Sequence, residues 1–136
     1  MELESAGNFQ ELLGIELIEV TGDRVVCTCE IKPQLHQPYG ILHGGVYCSI
    51  VETAASVAAA MWLGDEGNVV GVVNTTNFIR AARVGTLTAT ATPLQRGRTQ
   101  QLWQVEIIDS EGRLSAHGQV RLANLRQVDR LGQPSG

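Results

Sequence analysis

Between Pro33 and Gly64 the chain carries a single formally charged residue, Glu52. It sits mid-way along an apolar, alanine-rich segment, with Ser49 three residues before it and Ser56 four residues after it. In a helix those spacings place all three on one face, a narrow polar stripe on an apolar rod. Burying a carboxylate without partners costs several kcal/mol, by the rough scale of buried polar groups. Such a residue is expected to act as an acid, a base or a nucleophile, or else to pair with an arginine for structure. The segment starts with His43-Gly44-Gly45. A helix N-terminus has unpaired N–H groups and partial positive charge, and glycine lets a ligand approach the backbone closely. That makes an oxyanion site, suited to a carbonyl oxygen that gains negative charge during reaction.

Gly44 and Glu52 are eight residues apart, roughly 12 Å along a helix, too far for one helix to bring both to one carbonyl. Two helices packed antiparallel about a twofold axis remove the difficulty, because Gly44 of one chain then faces Glu52 of the other. A homodimer with two composite sites is the expected minimum active unit. From Gly67 to Val105 there are four arginines, Arg80, Arg83, Arg96 and Arg98, and no acidic residue. Guanidinium groups suit phosphates, and adjacent turns could bring several of these four to one rim, so as a group they are expected to bind an anion, with ordinary solvated charge as the plainer reading for any one of them.

The elements that must hold these residues follow from pattern. Residues 8–13 have helical spacing and stop at Gly14. Ile15–Val20 and Val25–Ile31, separated by Thr21-Gly22-Asp23, read as a β-hairpin. Residues 43–63 read as one long helix ended by Gly64. Its length would span a bilayer, but the central glutamate and the flanking strands favour a helix inside a sheet. Four strand-like runs follow, near 68–79, 85–95, 99–109 and 113–123, separated by turn signals. An α+β architecture results, one antiparallel sheet curled around a long central helix. Residues 1–125 form the domain and 126–136 a polar tail.

The chain has 136 residues and a mean hydropathy of +0.02, a globular composition for one domain. Its net charge of −4 argues against a nucleic-acid partner. Cys27, Cys29 and Cys48 lack the spacing of disulfide frameworks or zinc sites and read as core thiols. The N-terminus has no charged region followed by an apolar one, so a reducing cytoplasm is the expected location and no membrane association is expected. His36, His43 and His117 are scattered, which gives no metal site.

The stretch Gln37-Pro38-Tyr39-Gly40-Ile41-Leu42-His43-Gly44-Gly45, followed by Glu52 and Ser56, resembles the signature of hotdog-fold acyl-CoA thioesterases. It is most similar to the Arthrobacter-type 4-hydroxybenzoyl-CoA thioesterase branch. Val69-Val70-Gly71, Asn77-Phe78-Ile79-Arg80, Gly85, Gly97-Arg98 and Glu106 to Gly112 extend the resemblance. Within that branch it resembles the 1,4-dihydroxy-2-naphthoyl-CoA thioesterases of menaquinone synthesis and their enterobactin-pathway relatives.

The resemblance implies a hotdog fold and hydrolysis of an acyl-CoA thioester, with coenzyme A as part of the substrate and no separate cofactor. It implies that the Gly44 N–H polarises the thioester carbonyl and that Glu52 is nucleophile or general base. Gln37 would orient the thioester, His43 would steady the loop or the carbonyl, and Ser56 would position water or Glu52. It places Glu52 and Ser56 on the subunit opposite Gln37 and Gly44, in a homodimer or a homotetramer. Plainer roles stand beside these: Gln37 as a loop residue, His43 as an N-cap, Ser56 bonded back to a helix carbonyl. Phe78, a candidate substrate contact, stands where some menaquinone-pathway relatives have histidine, so benzoyl-like, naphthoyl and fatty acyl groups all stay open. A hotdog enoyl-CoA hydratase or dehydratase and a non-catalytic acyl-CoA binding module are the alternatives. Hydration usually needs a catalytic histidine, and a mere binder has no need of Glu52.

Overall fold

The computed structural model describes residues 7–126. Helix α1 (Asn8–Leu13) ends at Gly14, which adopts the left-handed conformation and donates its N–H back to Gln10 and Glu11. Strands β1 (Ile15–Val20) and β2 (Val25–Glu30) form the expected hairpin. A short 3-10 turn at Pro33–Leu35 and a loop lead into α2 (Gly44–Leu63), which Gly64 terminates. Then come β3 (Gly67–Phe78), β4 (Thr86–Arg96), β5 (Gln100–Ile108) and β6 (Leu114–Arg126). β6 thus runs one residue into the segment assigned to the tail. Residues 127–136 lie outside the described part, as do residues 1–6.

The six strands form one antiparallel sheet in the order β1-β2-β4-β5-β6-β3. α2 touches every strand, so the sheet wraps the helix as the hotdog fold requires. Strand alternation supplies the inner face: Leu87, Ala89 and Ala91 point inward from β4, and Trp103, Val105 and Ile107 from β5. Ala54, Ala55, Ala58 and Ala59 are fully buried on α2, and their small side chains let the helix lie close to the sheet. α2 has the length and hydropathy of a membrane span, yet ten of its residues are buried within the fold.

Cys27 and Cys29 belong to this core, as expected, whereas Cys48 is only half-buried and lies outside it. Burial pushes the Cys27 thiol up to about 12, and raises that of Cys29 as well. Because the thiolate is the nucleophile, neither should react with an aromatic disulfide reagent at pH 8 in the folded protein. Both should react after denaturation, and a time course of released thiolate checks this.

Candidate active site

The helix start is built as the sequence suggested. His43 is the N-cap of α2, and its Nδ1 accepts the Gly45 N–H at 2.8 Å. The plainer role for His43 is thus the one its ring performs. Val46 N–H goes to the His43 carbonyl. The Gly44 N–H is left with no acceptor among the described residues, which is the free donor that an oxyanion site needs. The preceding loop is stapled in place. Leu42 N–H donates to Ala82 O at 2.8 Å, His43 N–H to Leu35 O at 2.9 Å, and His36 Nε2 to Arg83 O at 2.8 Å. Gln37 lies in that loop, with its backbone N–H on Ile41 O and its Oε1 accepting the Tyr39 N–H. Its Nε2 therefore remains a donor without a partner among the described residues.

Gly44 and Gln37 line the same cavity of about 320 Å3, walled also by Ile41, Leu42, Tyr47, Phe78, Ile79 and Arg80. The Phe78 ring lies over Gly44, so a Cβ there would stand 2.9 Å from its Cζ. Phe78 also leans on Tyr47, ring centroids 5.9 Å apart. Tyr47 is buried, burial pushes its phenol up, and its hydroxyl donates to Arg80 O at 3.3 Å. The chamber is thus mostly apolar, with two free donors.

Glu52 is not in that cavity, in keeping with the distance along α2. It is half-buried rather than enclosed, because α2 here lies under β3, the last strand of the sheet. Its carboxylate packs on the β3 backbone at Gly71, where a Cβ would overlap Oε2. Oε1 accepts from Asn74 Nδ2 at 3.0 Å, and the Ser56 hydroxyl reaches Oε2 at 3.5 Å. Ser56 turns to the carboxylate rather than back to the helix. Ser49 does the opposite and donates to Gly45 O at 2.8 Å, so the stripe contains one structural serine. The carboxylate is thus held at both oxygens, at Oε1 by Asn74 and at Oε2 by Ser56.

The sequence profile described as Thioesterase superfamily matches residues 39–116, more than half of the chain. The chain belongs to this superfamily. A crystal structure of S. sahachiroi AziG superposes with a TM-score of 0.88 at 52% identity, over 90% of this chain and 99% of that one. An esterase candidate of Mycobacterium tuberculosis is 47% identical over 120 residues, 86% of each chain. The 1,4-dihydroxy-2-naphthoyl-CoA hydrolase of Escherichia coli is 34% identical over 119 residues, 88% of each.

The four arginines do not gather at one rim within the chain. Arg80 and Arg83 stand by the α2 N-terminus, Arg83 Nη1 reaching Gly40 O at 3.4 Å. Arg96 is at the other end, ion-paired to Asp23 at 2.6 Å, bonded to Gly22 O and set over the Trp62 ring. Its charge is consumed by structure. Arg98 shares that end, and its carbonyl accepts from Asn124 and Arg126. The guanidinium groups of Arg80 and Arg98 have no partner among the described residues and stay available to an anion. No three His, Cys, Asp or Glu side chains among the described residues could hold a metal ion together.

Sequence reasoning missed Asn74 and Tyr47. Tyr47 is one turn after Gly44 on the same helix face, a spacing that could have flagged it. Asn74 had only its place in a polar run, Asn74-Thr75-Thr76-Asn77, on a strand otherwise rich in valine.

Proposed function

We propose that this protein hydrolyses the thioester of an aroyl- or acyl-CoA to the free acid and coenzyme A. The observation that carries the reading is the free Gly44 N–H beside the Gln37 amide in one apolar cavity. The thioester carbonyl would accept from these donors, with the acyl group against Tyr47 and Phe78 and a coenzyme phosphate toward Arg80. Glu52 then takes a proton from water as hydroxide attacks the carbonyl carbon. The tetrahedral intermediate collapses, the carbon–sulfur bond breaks, and the leaving thiolate takes the proton from Glu52. Alternatively the Glu52 carboxylate attacks the carbonyl carbon directly, the carbon–sulfur bond breaks and coenzyme A leaves as thiolate; water then hydrolyses the resulting anhydride, which frees the acid and the carboxylate and leaves a proton for the thiolate.

Either route needs Glu52 from a second copy. The two sheet edges differ in a way that supports this. β1 carries Glu16 and Glu19, charges of the kind that discourage strand pairing, whereas residues 67–79 carry no charge at all. Val72 and Val73 of β3 are 56% and 53% exposed. Pairing of two β3 edges about a twofold axis would set the α2 helices side by side and bring Glu52 of one copy toward Gly44 of the other. A tetramer built from two such dimers, and a cytoplasmic location that keeps the three thiols reduced, complete the proposal.

The acyl group is the open variable. The name of the Escherichia coli relative favours a naphthoyl group and a place in menaquinone biosynthesis, while Phe78 above Gly44 provides an apolar rather than a titratable contact. Thiol release should be measured across benzoyl-, 1,4-dihydroxy-2-naphthoyl-, short and long acyl-CoA. At least one should be turned over with release of free coenzyme A. Binding without thiol release would support the acyl-CoA binding module instead. Hydration of an enoyl-CoA without thiol release would support the hydratase.

A further inference from the structure

Glu52 is held by residues outside the helix motif, and the device that brings them there is a β-bulge. β3 pairs with β6 in two runs that are out of phase: Gly71 stands opposite Leu122 and Val73 opposite Arg121, so Val72 is an extra residue. In an unbroken strand Gly71 and Asn74, three apart, would point to opposite faces. The extra residue reverses the parity. Gly71 and Asn74 both face α2, one beneath the carboxylate and the other beside it. Thr76 follows two residues on and donates from Oγ1 to Asn74 Oδ1 at 2.7 Å.

These bonds leave the amide one orientation. On one side Asn74 meets Glu52 Oε1 at 3.0 Å and the Cys48 carbonyl at 3.1 Å. Both are acceptors, so only the NH2 edge suits them. The amide oxygen then faces the Thr76 hydroxyl, which donates to it. A reversed amide would set oxygen against oxygen twice. The two acceptors decide which way the amide faces, the Thr76 hydroxyl holds its oxygen in place, and the amide, with Ser56, orients the carboxylate.

We propose that Asn74 and Thr76 are positioning residues that hold the Glu52 carboxylate in its working rotamer across the β3 edge. This rests on Glu52 being the catalytic carboxylate of the proposed hydrolysis. Neither residue lines the Gly44 cavity, so their loss should act on turnover and not on substrate binding.

The test is steady-state kinetics on an acyl-CoA that the wild type hydrolyses, with the dimer mass of each variant measured alongside. Thr76→Val keeps the shape and removes the hydroxyl. Thr76→Ser keeps the hydroxyl. Asn74→Leu removes the donor. Asn74→Leu should lower kcat about 10- to 100-fold and Thr76→Val about tenfold, with KM within about threefold and Thr76→Ser close to wild type, by the scale of misplaced catalytic groups. In a Glu52→Gln background neither change should lower the residual rate further.

A normal kcat in Thr76→Val and Asn74→Leu overturns the proposal, as does a rise in KM with kcat unchanged, or an equal further loss without the Glu52 carboxylate. A fully active Glu52→Gln enzyme would remove the catalytic reading of Glu52, and the proposal with it. An inactive Glu52→Gln beside active Asn74 and Thr76 variants would sink the positioning role alone.

Discussion

Replacing Glu52 with glutamine should lower kcat by about 10²- to 10⁴-fold, the range for a lost acid–base group, and leave acyl-CoA binding intact. Glutamine has the same shape. Its carbonyl oxygen can still accept from Asn74 Nδ2, and its amide can still meet the Ser56 hydroxyl, so the bonds that place the side chain survive. Gly71 beneath it leaves room for either head group. What disappears is the capacity to accept a proton from water or to attack a carbonyl. Stopped-flow thiol release gives kcat, and calorimetric titration of the variant with uncleaved acyl-CoA gives Kd. Turnover within a few-fold of wild type would take Glu52 out of the chemistry. Lost binding with normal turnover of bound substrate would make it a binding residue.

Glu52 was legible in the sequence because the residues around it along α2 are apolar. A lone charge in a long apolar helix needs a cause, and spacing alone finds it. Gly44 was legible for a related reason: two glycines after a histidine mark a helix start where the backbone must stay open. The strands could be read because turns interrupt them at regular intervals. Asn74 escaped because its role depends on Val72 being extra, and strict alternation assigns it to the wrong face. Nothing in the local residue types marks the bulge.

Topology divides the four arginines into two pairs. Arg83 lies before β4 and Arg96 ends it, and the two connections flanking an antiparallel strand must lie at its opposite ends. Eleven residues of β4 at about 3.3 Å each separate them. The Asp23 partner of Arg96 was equally hidden, since it comes from a different hairpin. A single rim would therefore need arginines from different subunits.

Gly44→Pro should abolish most activity while the protein still folds. Gly44 is the first residue of α2 and its N–H has no intrahelical acceptor, so proline fits that position at little cost in stability. His43 before it has φ −64° and ψ 134°, the extended conformation that a residue before proline adopts. The Phe78 ring must yield to the new Cβ, and it is 58% exposed and free to do so. Gly44→Ala makes the same displacement but keeps the N–H. The ratio of the two kcat values therefore isolates the donor, and about 10²- to 10³-fold is expected, the usual effect of one oxyanion-hole donor. Equal activities would show that the N–H does not touch the reacting oxygen. The pair also decides where Glu52 comes from. In a composite dimer, mixing inactive Gly44→Pro with inactive Glu52→Gln creates heterodimers in which one site carries both substitutions and the other carries neither. Complete exchange of an equimolar mixture should restore about a quarter of wild-type activity, since half of the dimers are mixed and each has one intact site. A site contained within one chain predicts no recovery at all, because every site then keeps one lesion.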